Sequence, residues 1–420
     1  MLVRPTPEGA RDYIVPSRVN PGQFYALPQS PQLYKQILMI SGIDRYFQLP
    51  AICMRDEDLR TDRQPEHSQL DFEISFVNES DIMDLVEELM KHVVKEVLGK
   101  TLKEKFARLS YEESMLKYGN DKPDLRYGLE LKDVTAIMKD SEFKVFHSVI
   151  ETNGIIKMLA VEYDFTRKDL EDLTALATSE GAKGLAYVKV AENKLDGNIA
   201  KFFPGKVHKS LIELSKIKKG YLFFVADSNK TTNAVLSKIR SDVARRLNLI
   251  KEEELKFVWI HDFPLFEWNE DEQKWDAMHH IFSSPKPECI KDLEKDPSKV
   301  LGNLFDLVLN GTELGSGSIR ISNPELQERV MKIIGLKKED AEKKFGFLLN
   351  AYKYASPMHG GMGLGFDRFV AMLLGTNDIR EVIAFPKNKA AQSPMDNSPC
   401  EVEPIQLSEL HIKLDTLKKK

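Results

Sequence analysis

The period of the hydrophobic positions changes several times along the chain, and each change predicts an element. "QLDFEISF", residues 69–76, alternates strictly: Gln69, Asp71, Glu73 and Ser75 fall on one face, and Leu70, Phe72, Ile74 and Phe76 on the other. A period of two reads as a half-buried antiparallel strand. "RYFQLPAICM", just before residue 55, is also strand-like, so 55–68 becomes the connection of a long hairpin. Arg55 and Glu57 stand at one base of it, and Gln69 and Asp71 at the other. Residues 81–99, "DIMDLVEELMKHVVKEVLG", carry apolar side chains at helical spacing and stop at Gly99. The polar "YGNDKPDLRY", 118–127, reads as a junction. From there to about residue 255, short strands ("GLAYVKV", "GYLFFVAD") mix with charged helices ("TTNAVLSKIRSDVARRLNL") and few side chains suit chemistry, which predicts an inserted domain. From "FVWIHDFPLF" onward strand patterns with tight turns return, then a glycine-rich stretch and a last helix.

Composition narrows the class. The 420 residues are 42% hydrophobic and 30% charged, as in an ordinary globular protein with room for two or three domains. A net charge of -5 gives no general basic field, so any contact with nucleic acid must use a local patch. Cys53, Cys289 and Cys400 are far apart, with no CxxC pair and no histidine cluster around them. That argues against a zinc site or a disulfide framework and predicts a reducing, cytoplasmic setting. No apolar run approaches the ~18 residues of a membrane span. The N-terminal "MLVRPTPEGARDYIVP" has neither a signal-peptide core nor a transit-peptide composition. No internal repeat is present, and the terminal "IKLDTLKKK" reads as a solvated tail.

Four stretches carry candidate chemistry. "RDEDLRTDRQPEHSQ", 55–69, alternates acids and arginines, and alone it reads either as a solvated loop or as a grip on a polyanion. In "FDLVLNGTELGSGSIRI", 305–321, Asn310-Gly311 is a strong hairpin-turn dipeptide. A two-residue turn sets Val308 opposite Glu313 and Asp306 opposite Gly315, with both acids on one face. Paired carboxylates beside glycines suit Mg²⁺ carrying a triphosphate, or else they are solvated acids on an edge hairpin. Alternation sends Arg320 to the opposite face, unless a bulge at the Gly-Ser-Gly returns it. "HGGMGLGFDRFVAMLLG", 359–375, runs a glycine-rich strand into a helix whose first turn holds Asp367 and Arg368. Glycines allow a ligand close to the backbone and a helix N-terminus favours phosphate, but packing explains the glycines equally well. Finally "LPQSPQLYKQ", "TPEGARDY" and "AMHHIF" supply Glu8, Ser30, Gln32, Lys35, His279 and His280. Adjacent histidines in a strand face opposite ways, which predicts one core and one surface histidine.

In their order and spacing, these stretches together resemble the catalytic part of a bacterial-type aspartyl-tRNA synthetase, a class II aminoacyl-tRNA synthetase. The resemblance covers essentially the whole chain, from "TPEGARDY" and "QSPQLYKQ" through "RDEDLRTDRQPE", "NDKPDLR", "AKGLAY", "AMHH", "NGTELGSGSIRI" and "GLGFDR" to "IREVIAFPK". It implies an α+β fold: a six-stranded antiparallel sheet flanked by helices, with an inserted α+β domain. The core would be 1–124 and 256–420, and the insertion 125–255. It implies ATP as substrate with Mg²⁺, L-aspartate, and the acceptor end of tRNA(Asp), with tRNA(Asn) as a second candidate. Arg55 would contact the ATP α-phosphate and the aspartate carboxylate, and Arg368 would hold the γ-phosphate. Asp56, Glu57, Gln64, His67 and Gln69 of the family's second motif, with Glu313, Gly365, Phe366 and Asp367, would complete the ATP site. Asp306 and Glu313 would carry Mg²⁺. Glu8, Gln32 and Asp71 would surround the substrate ammonium, with Ser30 beside them. Lys35 and Arg320 would pair with the substrate's side-chain carboxylate, and His279 would close its pocket, with His280 among the aspartate-binding residues. A dicarboxylate needs fixed cations, and arginine offers a bidentate fork. Loss of either cation would cost roughly 2–5 kcal/mol in binding.

The chain also departs from the family pattern. It starts just after the place where the family's first motif ends, without the N-terminal barrel that reads the anticodon. The homodimer that the family forms is therefore expected to be weakened or altered. His67 stands where bacterial members usually carry a phenylalanine that stacks on adenine, and histidine can stack too. Met54 replaces a usual phenylalanine, a packing change. Two other readings compete with tRNA charging: a paralogue that passes activated aspartate to another acceptor, and a tRNA-binding module without catalysis. Intact Arg55, Glu57, Asp306, Glu313, Arg320 and Arg368 argue against the second.

Overall fold

A computed structural model describes residues 1–5, 11–56 and 63–415, without the side chains of Pro50 and Ala51. Glu8 and Glu57 lie outside the described residues. Seven strands form the main sheet: β1 (Arg45–Met54), β2 (Glu66–Ser75), β3 (Ala107–Ser110), β4 (Phe257–His261), β5 (Leu304–Leu309), β6 (Thr312–Ile319) and β7 (His359–Gly365). Their order is β1-β2-β7-β6-β5-β4-β3. The pairs β1–β2, β2–β7 and β7–β6 are antiparallel, whereas β4 pairs with β3 in parallel. The sheet thus has one strand more than the resemblance implies, and its last pair is not antiparallel.

By contacts the chain divides into two compact units, one of residues 1–105, 264–306 and 314–420, the other of 106–263 and 307–313. In the first, α1 (Gln32–Ile40) joins a core of Leu33, Phe282, Phe345, Leu348 and Tyr352. Helix α2 (Glu79–Leu98) begins where its sequence carries a cap. The Asn78 side chain accepts from Ser80 and Asp81 N–H, and the Asp81 carboxylate accepts from Asn78 N–H, which satisfies amides that the helix itself cannot. It ends at Gly99, in the left-handed region at φ +66°.

The second unit is built on an antiparallel five-stranded sheet. Its central strand, Lys219–Asp227, buries both faces. Tyr221, Phe223 and Val225 enter one core with Leu173 and Ile239, while Leu222 and Phe224 enter another with Phe146 and Val207. Because alternate side chains supply separate layers, helices cover both sides. Helix α3 (Tyr111–Tyr118) and helix α4 (Asn229–Arg246) also belong to this unit. No helix among the described residues is long and apolar enough to cross a membrane.

Candidate active site

Strand β2 lies between β1 and β7. Asp71 is 2% exposed and Glu73 0%, with Ser75 buried as well, whereas on the apolar face Phe72 is buried, Leu70 and Ile74 are only partly so, and Phe76 is exposed. This corrects the sense of the half-buried reading, because the polar face is the more deeply buried one. The pairing explains how. Asp71 stands opposite Gly363 and Glu73 opposite Gly361, and these glycines in turn face Ser316 and Ser318 on β6. Cross-strand partners share a face, so two acids lie on a floor of glycine and serine. A Cβ on Gly361 would fall 2.2 Å from Glu73 Oε2, and one on Gly363 would fall 3.3 Å from Asp71 Oδ2. Glycine is required at the first position because the Phe72 carbonyl, 2.1 Å from that Cβ, and the acid together occupy the space.

Two cations complete the cluster. Lys35 Nζ, from α1, lies 2.9 Å from Asp71 Oδ1 and 3.1 Å from Glu73 Oε2. Arg320, just after β6, donates from Nε to Glu73 Oε1 at 2.8 Å and from Nη2 to Oε2 at 3.1 Å, a two-pronged pair. Its Nη2 also donates to the Gly361 carbonyl, and its Nη1 to Ser318 Oγ and His280 Nε2. Lys35 is 1% and Arg320 3% exposed. Buried charges of this density persist only when compensated. Burial alone would raise the Glu73 carboxyl, but Arg320 and Lys35 outweigh it and hold the group at about 2. Burial raises Asp71, and Lys35 opposes the shift.

Neither histidine is a surface residue. They sit in a bend after the strand Lys274–Ala277, so strand alternation does not apply to them. His280 is pushed well below the ordinary histidine range by burial and by Arg320, and its neutral Nε2 accepts from Arg320 Nη1 at 2.7 Å. His279 Nδ1 lies 2.9 Å from Ser316 Oγ and 3.9 Å from Asp306 Oδ1. Gln32, on α1, presents a buried Nε2 with no hydrogen-bond partner among the described residues. Ser30 is exposed, and its hydroxyl accepts from Gln32 N–H at 3.2 Å, where it supports the start of α1.

The hairpin base forms a second group. Met54 pairs with Glu66, and Arg55 N–H donates to the Pro65 carbonyl at 2.8 Å, so the hairpin is present with Arg55 exposed at its base. But β2 begins at Glu66 rather than at residue 69, and Gln69 and Asp71 stand further along it, opposite Ala51 and Gln48. Asp56 N–H donates to the Arg11 carbonyl, and the two side chains approach to 3.5 Å. Gln64 Oε1 accepts from Lys387 N–H at 2.8 Å. His67 is pushed down to about 4 by burial and by the charges of Arg55 and Arg368. Its ring is therefore neutral at pH 7. Gln69 Nε2 donates to Asp71 Oδ2 at 3.1 Å. Helix α5 (Phe366–Leu373) starts at Gly365 with no side-chain cap, and Phe366 is 42% exposed. Asp367 accepts from Ser68 N–H at 2.6 Å, which ties the first turn of α5 to β2.

Asn310 and Gly311 form the two-residue turn between β5 and β6, with φ of +51° and +83°. Both values lie in the left-handed region that such a turn needs. Asp306, on β5, is 2% exposed. Pairing of β6 with β7 is regular from Gly315 to Ile319, so against β7 there is no bulge at the Gly-Ser-Gly. Yet Asp306 approaches His279, which meets Ser316, and Ser318 meets Arg320, so Asp306 and Arg320 reach one side of the sheet. Glu313, on β6, approaches Lys122 Nζ at 3.2 Å. The donor chemistry of both acids suits a hard cation such as Mg²⁺.

Sequence reasoning gave no role to Glu73, which joins Lys35 to Arg320, or to Lys122. For Glu73 a signal was present: an acid on the polar face of β2 in step with the glycines of β7. Lys122 lies in "NDKPDLR", a stretch that reads as a junction and contributes to the resemblance without a role for any one residue.

The profile of the tRNA synthetases class II (D, K and N) matches residues 1–389. An "Aspartate--tRNA(Asp/Asn) ligase" of Treponema denticola is 50% identical over 416 residues, 98% of this chain and 70% of that protein. A protein of the same name from Heliobacterium modesticaldum is 49% identical over 99% of this chain and 69% of its own length. An "Aspartate--tRNA ligase" of Staphylococcus carnosus is 49% identical over 99% of this chain and 71% of its own. With a profile that spans most of the chain and relatives at half identity, the chain belongs to the class II tRNA synthetases of the D, K and N group.

Proposed function

We propose that this synthetase activates L-aspartate with ATP and transfers the aspartyl group to the 3′ end of tRNA(Asp), with tRNA(Asn) as a second acceptor. The buried cluster of Lys35, Asp71, Glu73 and Arg320 carries this reading. A small dicarboxylate with an ammonium group needs two fixed cations and a nearby acid, and the cluster offers both on a glycine floor. The unpartnered Gln32 Nε2 supports it, since a buried amide donor is best satisfied by a ligand oxygen. Lys35 and Arg320 would hold the side-chain carboxylate. Asp71, with Gln32 and Glu8, would receive the ammonium. His280 keeps Arg320 oriented, and His279 closes the pocket.

The first step needs no general base, because the α-carboxylate is already the nucleophile. It attacks the ATP α-phosphorus in line, and pyrophosphate leaves. Arg55 would meet the α-phosphate and Arg368 the γ-phosphate. The uncapped first turn of α5 adds backbone N–H groups that favour anions. His67 would stack on adenine, and Gln64 would read the base through its amide nitrogen, its oxygen being engaged by Lys387. Asp306 and Glu313 are the acids that would hold Mg²⁺, which when bound offsets phosphate charge. In the second step a terminal tRNA hydroxyl attacks the adenylate carbonyl and AMP leaves.

Charging of purified tRNA with labelled aspartate tests the reading. Acid-precipitable counts with aspartate, and none with asparagine or glutamate, are expected. Adenylate formation without tRNA charging would favour a different acceptor.

A further inference from the structure

The junction 119–126 is a built loop. Gly119 closes α3 at φ +72°, where an added Cβ would meet the Asn233 carbonyl at 2.6 Å. Ser114 Oγ donates to the Asn120 carbonyl at 2.7 Å, and the Asn120 side chain reaches Ser237 on α4. Asn120 Oδ1 accepts from Lys122 N–H at 2.8 Å, which turns the chain there. At the far end, the buried Arg240 of α4 donates to the carbonyls of Asp124, Tyr127 and Gly128, with its guanidinium over the rings of Tyr118 and Tyr127. The β5–β6 turn rests on this loop: a Cβ on Gly311 would lie 3.2 Å from Asp124 Cβ. The turn is itself fastened, since Asn310 Oδ1 accepts from Lys256 N–H and its Nδ2 donates to the Glu254 carbonyl, both at 2.8 Å. The backbone therefore fixes where Lys122 stands relative to Glu313. Lys122 Nζ lies 3.2 Å from Glu313 Oε2 and 3.0 Å from Asp121 Oδ2.

We propose that Lys122 is a positioning residue for Glu313: its ammonium holds the carboxylate, charge-compensated, until a divalent cation arrives with the nucleotide. This rests on the reading of Glu313 as a metal ligand. An ammonium and a divalent cation compete for the same carboxylate oxygens, so Lys122 weakens binding of the metal alone and reserves the site for metal that comes with ATP.

Mn²⁺ titration of the full chain without nucleotide, followed by loss of the free-ion spin-resonance signal, tests this. Lys122→Met should bind Mn²⁺ about two- to fivefold more tightly than the parent, the range expected of a partly exposed ion pair. Lys122→Arg should stay near the parent value. In a Glu313→Gln background, Lys122→Met should change nothing further, since the coupling runs through that carboxylate. Lys122→Gln serves if the methionine variant does not fold. Unchanged or weaker Mn²⁺ binding in a folded variant, or a gain that persists in Glu313→Gln, overturns the proposal. Aspartate-dependent pyrophosphate exchange by the parent chain separates the two claims. If exchange holds while the Mn²⁺ results fail, only the role of Lys122 falls. If exchange is absent, the adenylation reading falls first.

Discussion

At the scale of the residue, Glu73 joins two cations that arrive from different parts of the chain, Lys35 on α1 and Arg320 after β6. Removing one partner of a buried ionic cluster leaves the others uncompensated, at a cost of about 3–5 kcal/mol. Glu73→Gln should therefore lower the melting temperature and weaken aspartate binding together, although Glu73 need not touch the substrate. A variant with unchanged stability would show that the cluster is compensated in another way. Arg320→Lys keeps the charge but loses the fork, and its aspartate KM should rise roughly 30-fold or more. The ATP KM should stay within about twofold, because the nucleotide groups sit elsewhere. At position 67 the prediction is a lack of effect. The ring is already neutral at pH 7, pushed down to about 4, so His67→Phe should leave the ATP KM and its pH profile between 6 and 8 unaltered. A profile that flattens only in the variant would assign His67 a titrating role.

At the scale of the element, β2, β6 and β7 form the floor of the site, and β7 is glycine-rich for a reason that sequence alone left open. Packing and ligand approach competed as explanations. Packing accounts for two of them: Gly361 makes room for the Phe72 carbonyl and the Glu73 carboxylate, and Gly360 for the side chains of Ile319 and Ile82. Gly361→Ala should cost about 1–3 kcal/mol, as overpacking does, and thermal denaturation with and without aspartate would read it. A neutral substitution would mean that the β2 backbone at Phe72 and the Glu73 side chain both shift freely. Local pattern made several elements legible. The alternation of 69–76 marked β2, helical spacing marked α2, and Asn310-Gly311 marked the β5–β6 turn. Pattern also misled where tertiary context decides. Alternation implies that the apolar face is the inner one, and on β2 the polar face is buried more deeply because its charges compensate one another. Two adjacent histidines imply opposite faces only in a strand, and these lie in a bend.

At the scale of the whole molecule, a net charge of -5 coexists with cations confined to particular places. The resemblance located Arg55, Lys35, Arg320 and Arg368, whereas composition could only say that such a patch must be local. No local signal shows which acids a given lysine will meet, since that depends on contacts across the fold, as for Lys35 with Glu73. The same buried groups set the acid limit of stability. Glu73 is held at about 2 against an ordinary 4.5, so the stability it contributes is complete above pH 4.5 and is lost as pH falls toward 2. His67, at about 4 against an ordinary 6.5, keeps the folded chain from taking a proton that the unfolded chain accepts, so stability also falls between pH 6.5 and 4. Asp71, raised by burial, acts in the opposite sense. Melting temperatures should decline from pH 7 to pH 5 and more steeply below pH 4.5. A curve flat down to pH 4 would contradict these assignments.

Aspartate-dependent exchange of pyrophosphate into ATP, measured on the purified chain with asparagine and glutamate as controls, tests the central claim most directly. Exchange with aspartate alone is predicted, because on the proposed reading Lys35 and Arg320, held in place by Asp71 and Glu73, pair with the side-chain carboxylate of aspartate. No exchange from a folded chain, or equal exchange with asparagine, would contradict it.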